Sequence, residues 1–111
     1  MIPFWDYNEI MRVISKSTLV EFWIQHPNAQ KALEDWYHEA TAALWKTPQD
    51  IKARYASASF LGHNRVVFNI KGNDYRLVVA VAYRFAALYV KFVGTHAQYD
   101  AIQALTVELK P

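Results

Sequence analysis

The sequence predicts an α+β domain in which helices pack on one face of a small, antiparallel-rich sheet, in the order β-α-α-β-β-β-α. Three observations carry this reading. Apolar residues recur at spacings of three and four from Ala29 to Leu44, the period of a half-buried helix. Runs rich in Val, Tyr and Phe at 65–70, 75–83 and 88–94 have the composition and period of strands. Between the first two stands Lys71-Gly72-Asn73-Asp74, a tight-hairpin signal because Gly and Asn accept positive φ.

The elements follow in order. Residues 1–10 are expected to be an N-terminal extension to a single domain at 11–111, with Phe4, Trp5 and Tyr7 docked on a partner or on the protein's own surface. Arg12-Val13-Ile14 reads as a short first strand. Thr18-x-x-Glu21 has capping-box spacing and opens a helix whose apolar face is Leu19, Phe22 and Trp23; Pro27 stops it. Asn28 is placed to cap the next helix, over 29–46, which ends before Thr47-Pro48. Residues 47–64 lack a period and read as a loop with one short helical turn near Asp50–Tyr55. Thr95-x-x-Gln98 repeats the capping-box spacing and starts a last helix near His96.

The strand period of two fixes a register. A turn at Gly72-Asn73 pairs Ile70 with Tyr75, Phe68 with Leu77 and Val66 with Val79, one continuous apolar face for the helices to cover. A four-residue loop at Arg84–Ala87 adds Leu88, Val90 and Phe92 to that face. It also sets Ala80 between Arg65 and Lys91, Arg76 between Asn69 and Thr95, and Ala82 opposite Tyr89. The other side of the sheet is then an uncovered, shallow trough from which Arg65, Arg76 and Lys91 project, with His96 at one end. Like charges on neighbouring strands repel, and a bound anion relieves the repulsion.

Composition bounds the function. A 111-residue chain that is 53% hydrophobic is too apolar for disorder and has the length of one domain. Without cysteine it has no disulfide, thiolate nucleophile or thiolate zinc site. Asp6 and Glu9 stand where a signal peptide needs positive charge, and the longest strongly apolar run, Leu77–Tyr83, is far short of the roughly 20 residues that span a bilayer. A soluble, cytoplasmic protein without membrane contact is expected. The net charge of +2 hides an asymmetry: residues 1–50 hold four basic and seven acidic residues, residues 51–105 seven basic and two acidic. A basic half suits a polyanion.

On a helix, His96 faces Tyr99 and Asp100 at spacings of three and four. The carboxylate is placed to orient the imidazole, whose reference pKa of about 6.5 suits acid/base work near neutrality. Lys52, Arg54 and Tyr55 combine basic and aromatic groups suited to RNA. His38-Glu39 lacks a second His four residues after the first, so the zinc-protease motif is absent, as are phosphate-cradling glycine loops and the nucleophile elbow. No metal or other cofactor is expected.

Ile51-Lys52-Ala53-Arg54-Tyr55, the run from Asn64 through Phe68-Asn69-Ile70-Lys71-Gly72-Asn73-Asp74-Tyr75-Arg76 to Leu77, and Thr95-His96-Ala97-Gln98-Tyr99-Asp100 together resemble the HigB toxins, mRNA interferases with a RelE-like fold. The likeness runs from about Met11 to Leu105. It implies a toxin of a type II toxin–antitoxin pair that cleaves mRNA without metal, in the ribosomal A site, and is neutralised by a HigA-type helix-turn-helix antitoxin. The chemistry it implies is attack of a ribose 2′-OH on the adjacent phosphate. Under that resemblance Arg76 and Lys91 are assigned to the phosphate, His96 and Tyr99 to acid/base roles, and Asp100 to orienting His96. Lys52, Arg54, Arg65, Asn69 and Asn73 are the RNA-binding candidates. The alternative is a non-catalytic RNA-binding or protein-interaction module using the same basic face.

Overall fold

The computed structural model describes residues 11–110, so the expected extension at 1–10 lies outside the described residues. Eleven short elements follow in order: β1 (Arg12–Ile14), α1 (Lys16–Gln25), a 3-10 turn (Pro27–Ala29), α2 (Gln30–Ala42), α3 (Pro48–Arg54), β2 (Ser59–Phe60), β3 (Arg65–Ile70), β4 (Tyr75–Ala82), a second 3-10 turn (Tyr83–Phe85), β5 (Ala87–Thr95) and α4 (His96–Asp100). The α+β class is as expected. The strands form one sheet in the order β1-β5-β4-β3-β2. β1 joins it parallel to β5, and the other neighbours are antiparallel. Among the described residues no helix is long and apolar enough to cross a membrane.

The core lies between the sheet and α1–α3. Phe68, Leu77, Val66 and Val79 from β3 and β4 meet Leu19 of α1, Leu33 and Trp36 of α2, and Ile51 of α3, all essentially inaccessible to water. Phe68 stands at its centre, with the rings of Trp36, Trp45 and Tyr55 at 5.4, 6.2 and 5.2 Å.

Helix boundaries differ from the sequence expectation for local reasons. α1 starts two residues before Thr18, because Ser15 takes a left-handed conformation (φ 78°) that turns the chain out of β1 at once. Thr18 therefore donates its N–H to the Ser15 carbonyl within the first turn, and the expected Thr18–Glu21 cap does not form. Asn28 lies inside the 3-10 turn and does not cap α2. α2 ends at Ala42, short of 46, since Ala43 is extended (ψ 155°). That bend tucks Trp45 into the core, where its ring stacks on Phe68 and its backbone N–H donates to the Met11 sulfur at 3.4 Å.

Within the expected loop at 47–64, the short helical turn expected near Asp50–Tyr55 is a seven-residue helix, α3, starting two residues earlier. Its start is specified by Thr47, whose hydroxyl accepts from the Asp50 N–H, by the reciprocal Asp50 carboxylate, and by Pro48 at the first position. The Asp50 carboxylate accepts from the Lys46 and Thr47 N–H groups, which hold its pKa below the ordinary carboxylate value.

The β3–β4 register is the expected one: Ile70 pairs with Tyr75, Phe68 with Leu77, Arg65 with Ala80. Positive φ falls on Lys71 (54°) and Gly72 (64°), one position earlier than the expected Gly72-Asn73. The β4–β5 register departs from expectation. Ala82 pairs with Ala87 and Ala80 with Tyr89, then a bulge at Lys91 shifts the pairing so that Val78 faces Phe92 and Arg76 faces Gly94. One inserted residue reverses which face the following side chains reach. Leu88 and Val90 remain in the core, Phe92 moves to the opposite face against Tyr99 (6.4 Å), and Val93 packs against the core in its place.

The second sheet face is not an open trough. The chain after α4 folds back across it, and Val67 and Val78 on that face are buried. Arg65 is the anchor. It is only 5% exposed, its Nη1 donates to the carbonyls of Ala104 (3.0 Å) and Val107 (2.6 Å), and its Nη2 pairs with Glu108 (2.7 Å).

Candidate active site

A cleft of about 630 Å³ is open on this side where the β3–β4 turn meets the β5–α4 junction. Asn73, Asp74, Tyr75 and Arg76 line one flank, Thr95, His96 and Ala97 the other. The two flanks are tied by the backbone, since the His96 N–H donates to the Asp74 carbonyl at 3.1 Å.

The β5–α4 junction is locally specified. The Thr95 hydroxyl accepts from the Gln98 N–H (3.1 Å) while the Gln98 side chain accepts from the Thr95 N–H (2.9 Å), the expected capping box. Gln98 reaches back over Gly94, where a Cβ would lie 2.8 Å from its Oε1 and 2.5 Å from the Phe92 ring. Only glycine leaves room for both. The short helix therefore starts at a fixed point and sets His96, Tyr99 and Asp100 beside the cleft.

Arg76 is the cation of this cleft. Its Nη1 donates to the carbonyls of Asn73 (3.1 Å) and Tyr75 (3.2 Å), and its guanidinium lies 6.0 Å from the Tyr99 ring centroid. No ion pair or other hydrogen bond engages it among the described residues, so Nε and Nη2 keep donors for a ligand. His96 Nδ1 lies 3.4 Å from the Asp100 carboxylate, with both side chains more than half exposed. The pair has the geometry in which the Asp100 carboxylate can orient the imidazole.

The structure thus gathers Arg76, His96, Tyr99, Asp100 and Asn73, and separates the other expected site residues from them. Lys91, at the bulge, lies outside the cleft lining and donates to Glu108 Oε1 at 2.7 Å. Arg65, expected on an open face, is buried under the C-terminal segment. Lys52 donates to the Ala58 carbonyl (2.9 Å), and Arg54 is paired with Glu39 of α2. Asn69 pairs with Arg76 across the strands, but it lines a different hollow with Trp36, Glu39 and Tyr55. Glu108 is the residue that sequence reasoning missed. Its partners, Arg65 and Lys91, are 43 and 17 residues away, a separation that no local motif signals.

Tyr55 is a structural group. Its hydroxyl donates to Glu39 at 2.9 Å, and burial, then that bond, raise the phenol pKa well above its ordinary value. A raised pKa favours the neutral form, so this contribution to stability is complete below about pH 10 and is lost as pH rises beyond it. Tyr55→Phe is expected to flatten the alkaline limb of stability, read as urea midpoints between about pH 9 and 12.

Comparison with known proteins gives a consistent pattern. Residues 29–102 match the model of a family described as HigB toxin, the RelE-like toxic component of a toxin–antitoxin system. The chain is 26% identical over 94 residues to the mRNA interferase HigB of Escherichia coli O6:H1, covering 83% of this chain and 91% of that protein. It is 26% identical over 97 residues to the mRNA interferase toxin HigB of Escherichia coli K12, covering 86% and 93%.

Proposed function

The chain belongs to the HigB family of RelE-like toxins, the toxic component of a toxin–antitoxin system, and on that premise we propose that it is an endoribonuclease that cuts mRNA at the Arg76–His96 cleft. The observation that carries the assignment is Arg76, a guanidinium with no carboxylate within 4.0 Å among the described residues, on the rim opposite a His–Asp pair. The relatives' names, which describe mRNA interferases, support the substrate class.

The reaction is an in-line transesterification. The ribose 2′-oxygen forms a bond to the adjacent phosphorus as its proton leaves, and the bond from phosphorus to the 5′-oxygen breaks as that oxygen gains a proton. The products are a 2′,3′-cyclic phosphate and a 5′-OH. Arg76 neutralises the charge that grows on the equatorial oxygens, commonly the largest single contribution in such reactions. His96, oriented by Asp100, and Tyr99 under the guanidinium carry the two proton transfers. All of these roles are filled by side chains, so no metal ion is required. A single-stranded message held open, as in the ribosomal decoding site, is the substrate form a shallow cleft suits. A helix-turn-helix antitoxin of HigA type is the cognate partner, and the cytoplasm the site of action.

The test is purified protein incubated with mRNA, with and without ribosomes, in the presence of EDTA. Cleavage that persists in EDTA, needs ribosomes, and leaves 5′-OH ends supports each part of the proposal separately. RNA bound but never cut returns the protein to a binding module. His96→Gln is expected to lower the single-turnover rate by about 10²-fold, the lower range for a lost proton carrier, without moving the thermal midpoint.

A further inference from the structure

Lys91 and Glu108 form a contact that the cleavage chemistry does not use. Lys91 Nζ donates to Glu108 Oε1 at 2.7 Å, and the other carboxylate oxygen takes Arg65 Nη2 at 2.7 Å. The two cations differ in what else holds them. Arg65 is 6% exposed at its side chain and keeps the Ala104 and Val107 carbonyls if the carboxylate leaves. Lys91 is 24% exposed and makes no other hydrogen bond among the described residues, while Glu108 itself is 59% exposed. The pair is therefore a surface contact of small net worth, open to exchange with another anion. Its neighbours are suited to a nucleic acid strand: the Tyr89 ring centroid is 6.0 Å from Lys91 Nζ, on a side chain 38% exposed. Along β5, Lys91 stands three residues before Gly94, the partner of Arg76, a separation on the order of 10 Å along the strand. One strand lying in the cleft can reach both.

We propose that Lys91 is a second phosphate subsite, one that binds the RNA backbone away from the scissile bond and that the C-terminal segment closes with Glu108 in the free protein. RNA then exchanges one of its phosphates for the Glu108 carboxylate, and part of its binding free energy goes into releasing the segment's end. Glu108 serves as a stand-in anion: its hydrogen bond with Lys91, together with both cations, holds it in the charged form. Because Arg65 keeps its carbonyl partners, the segment loosens only beyond Val107 and the cover over Val67 and Val78 stays in place.

This inference rests on the RNA-cleaving reading, and binding and cleavage are measured separately so that the two fail separately. The probe is a single-stranded RNA fully 2′-O-methylated, which lacks the attacking hydroxyl, titrated by fluorescence anisotropy across a salt series. Glu108→Gln is expected to bind it several-fold tighter than the unmodified protein at low salt. Its slope of log affinity against log salt should be steeper by up to about 0.7, because no freed carboxylate takes back a counterion when the phosphate binds Lys91. Lys91→Met in the Glu108→Gln background is expected to erase both gains. A Glu108→Gln protein that keeps its thermal midpoint yet binds with unchanged or weaker affinity overturns the subsite. Should that variant unfold, Lys91→Met alone decides: affinity and slope equal to those of a protein with Lys91 and Glu108 intact also overturn it, since Lys91 then meets no phosphate. If the unmodified protein cuts mRNA in either outcome, only the subsite is lost. If it neither cuts mRNA nor binds the probe, the endoribonuclease reading falls and the subsite with it.

Discussion

Arg76→Ala is expected to reduce RNA cleavage by about 10²–10³-fold, the loss seen when one preorganised donor to a transition-state oxyanion is removed. The fold should survive. Arg76 lies at the start of β4 and is half-buried, and its protein partners are the carbonyls of Asn73 and Tyr75 and the Tyr99 ring, so truncation removes no core contact and no ion pair. Rates of cleavage in a single-turnover assay, beside circular dichroism and a thermal melt, separate the two effects. Growth arrest in cells expressing the variant should disappear in parallel. A fully toxic Arg76→Ala protein with a normal melt would take the cleft out of the reaction. Lysine at this position is expected to recover only part of the rate, because a single ammonium does not reproduce the planar fork of donors.

The largest effect on stability is expected at Phe68→Ala. The ring is fully buried at the junction of β3, α2, α3 and the Trp45 bend, with three aromatic rings within 6.2 Å. None of these can collapse into the space without leaving its own contacts. A cost of about 3–5 kcal/mol is expected for deleting such a ring. In a domain of this size that lowers the thermal midpoint by roughly 15–25 °C. Differential scanning calorimetry checks it. Cleavage at low temperature should persist in whatever fraction remains folded, since Phe68 points away from the Arg76 cleft.

Much of this was legible in the residues. Alternation in 65–70 and 75–82 dictated the β3–β4 register to the residue, since a one-residue slip would have put Phe68 and Leu77 in water. The Thr95–Gln98 capping box located α4, and with it His96, Tyr99 and Asp100. The family likeness is supported by the same stretch of chain. Three features were not legible, each for a physical reason. The bulge at Lys91 is one extra residue with no side chain that demands it, yet it moves Phe92 to the other face and Arg76 opposite Gly94. The helix at 48–54 buries only Ile51, so without an apolar period it read as no more than a short turn near Asp50–Tyr55; the cap at Thr47 and Asp50, with Pro48, marks its true start. The cover on the second face depends on Arg65 bonding carbonyls some 40 residues later, a long-range pairing that local composition does not carry. The cleft flanks are thus set by local signals, and the cover beside them by pairings distant in the chain.

The parallel pairing of β1 with β5 has a consequence for how the toxin is made. Arg12 finds its neighbour only at Ala87, 75 residues later in synthesis, and the cleft needs the β5–α4 junction just beyond. At about 5–20 residues per second, a ribosome takes roughly 4–15 s to deliver that partner after the first strand emerges. Until then the nascent polypeptide has no seated His96 and an unpaired leading strand. A translation product that stops short of residue 87 lacks β5 and α4, and with them the Thr95–His96 flank of the cleft.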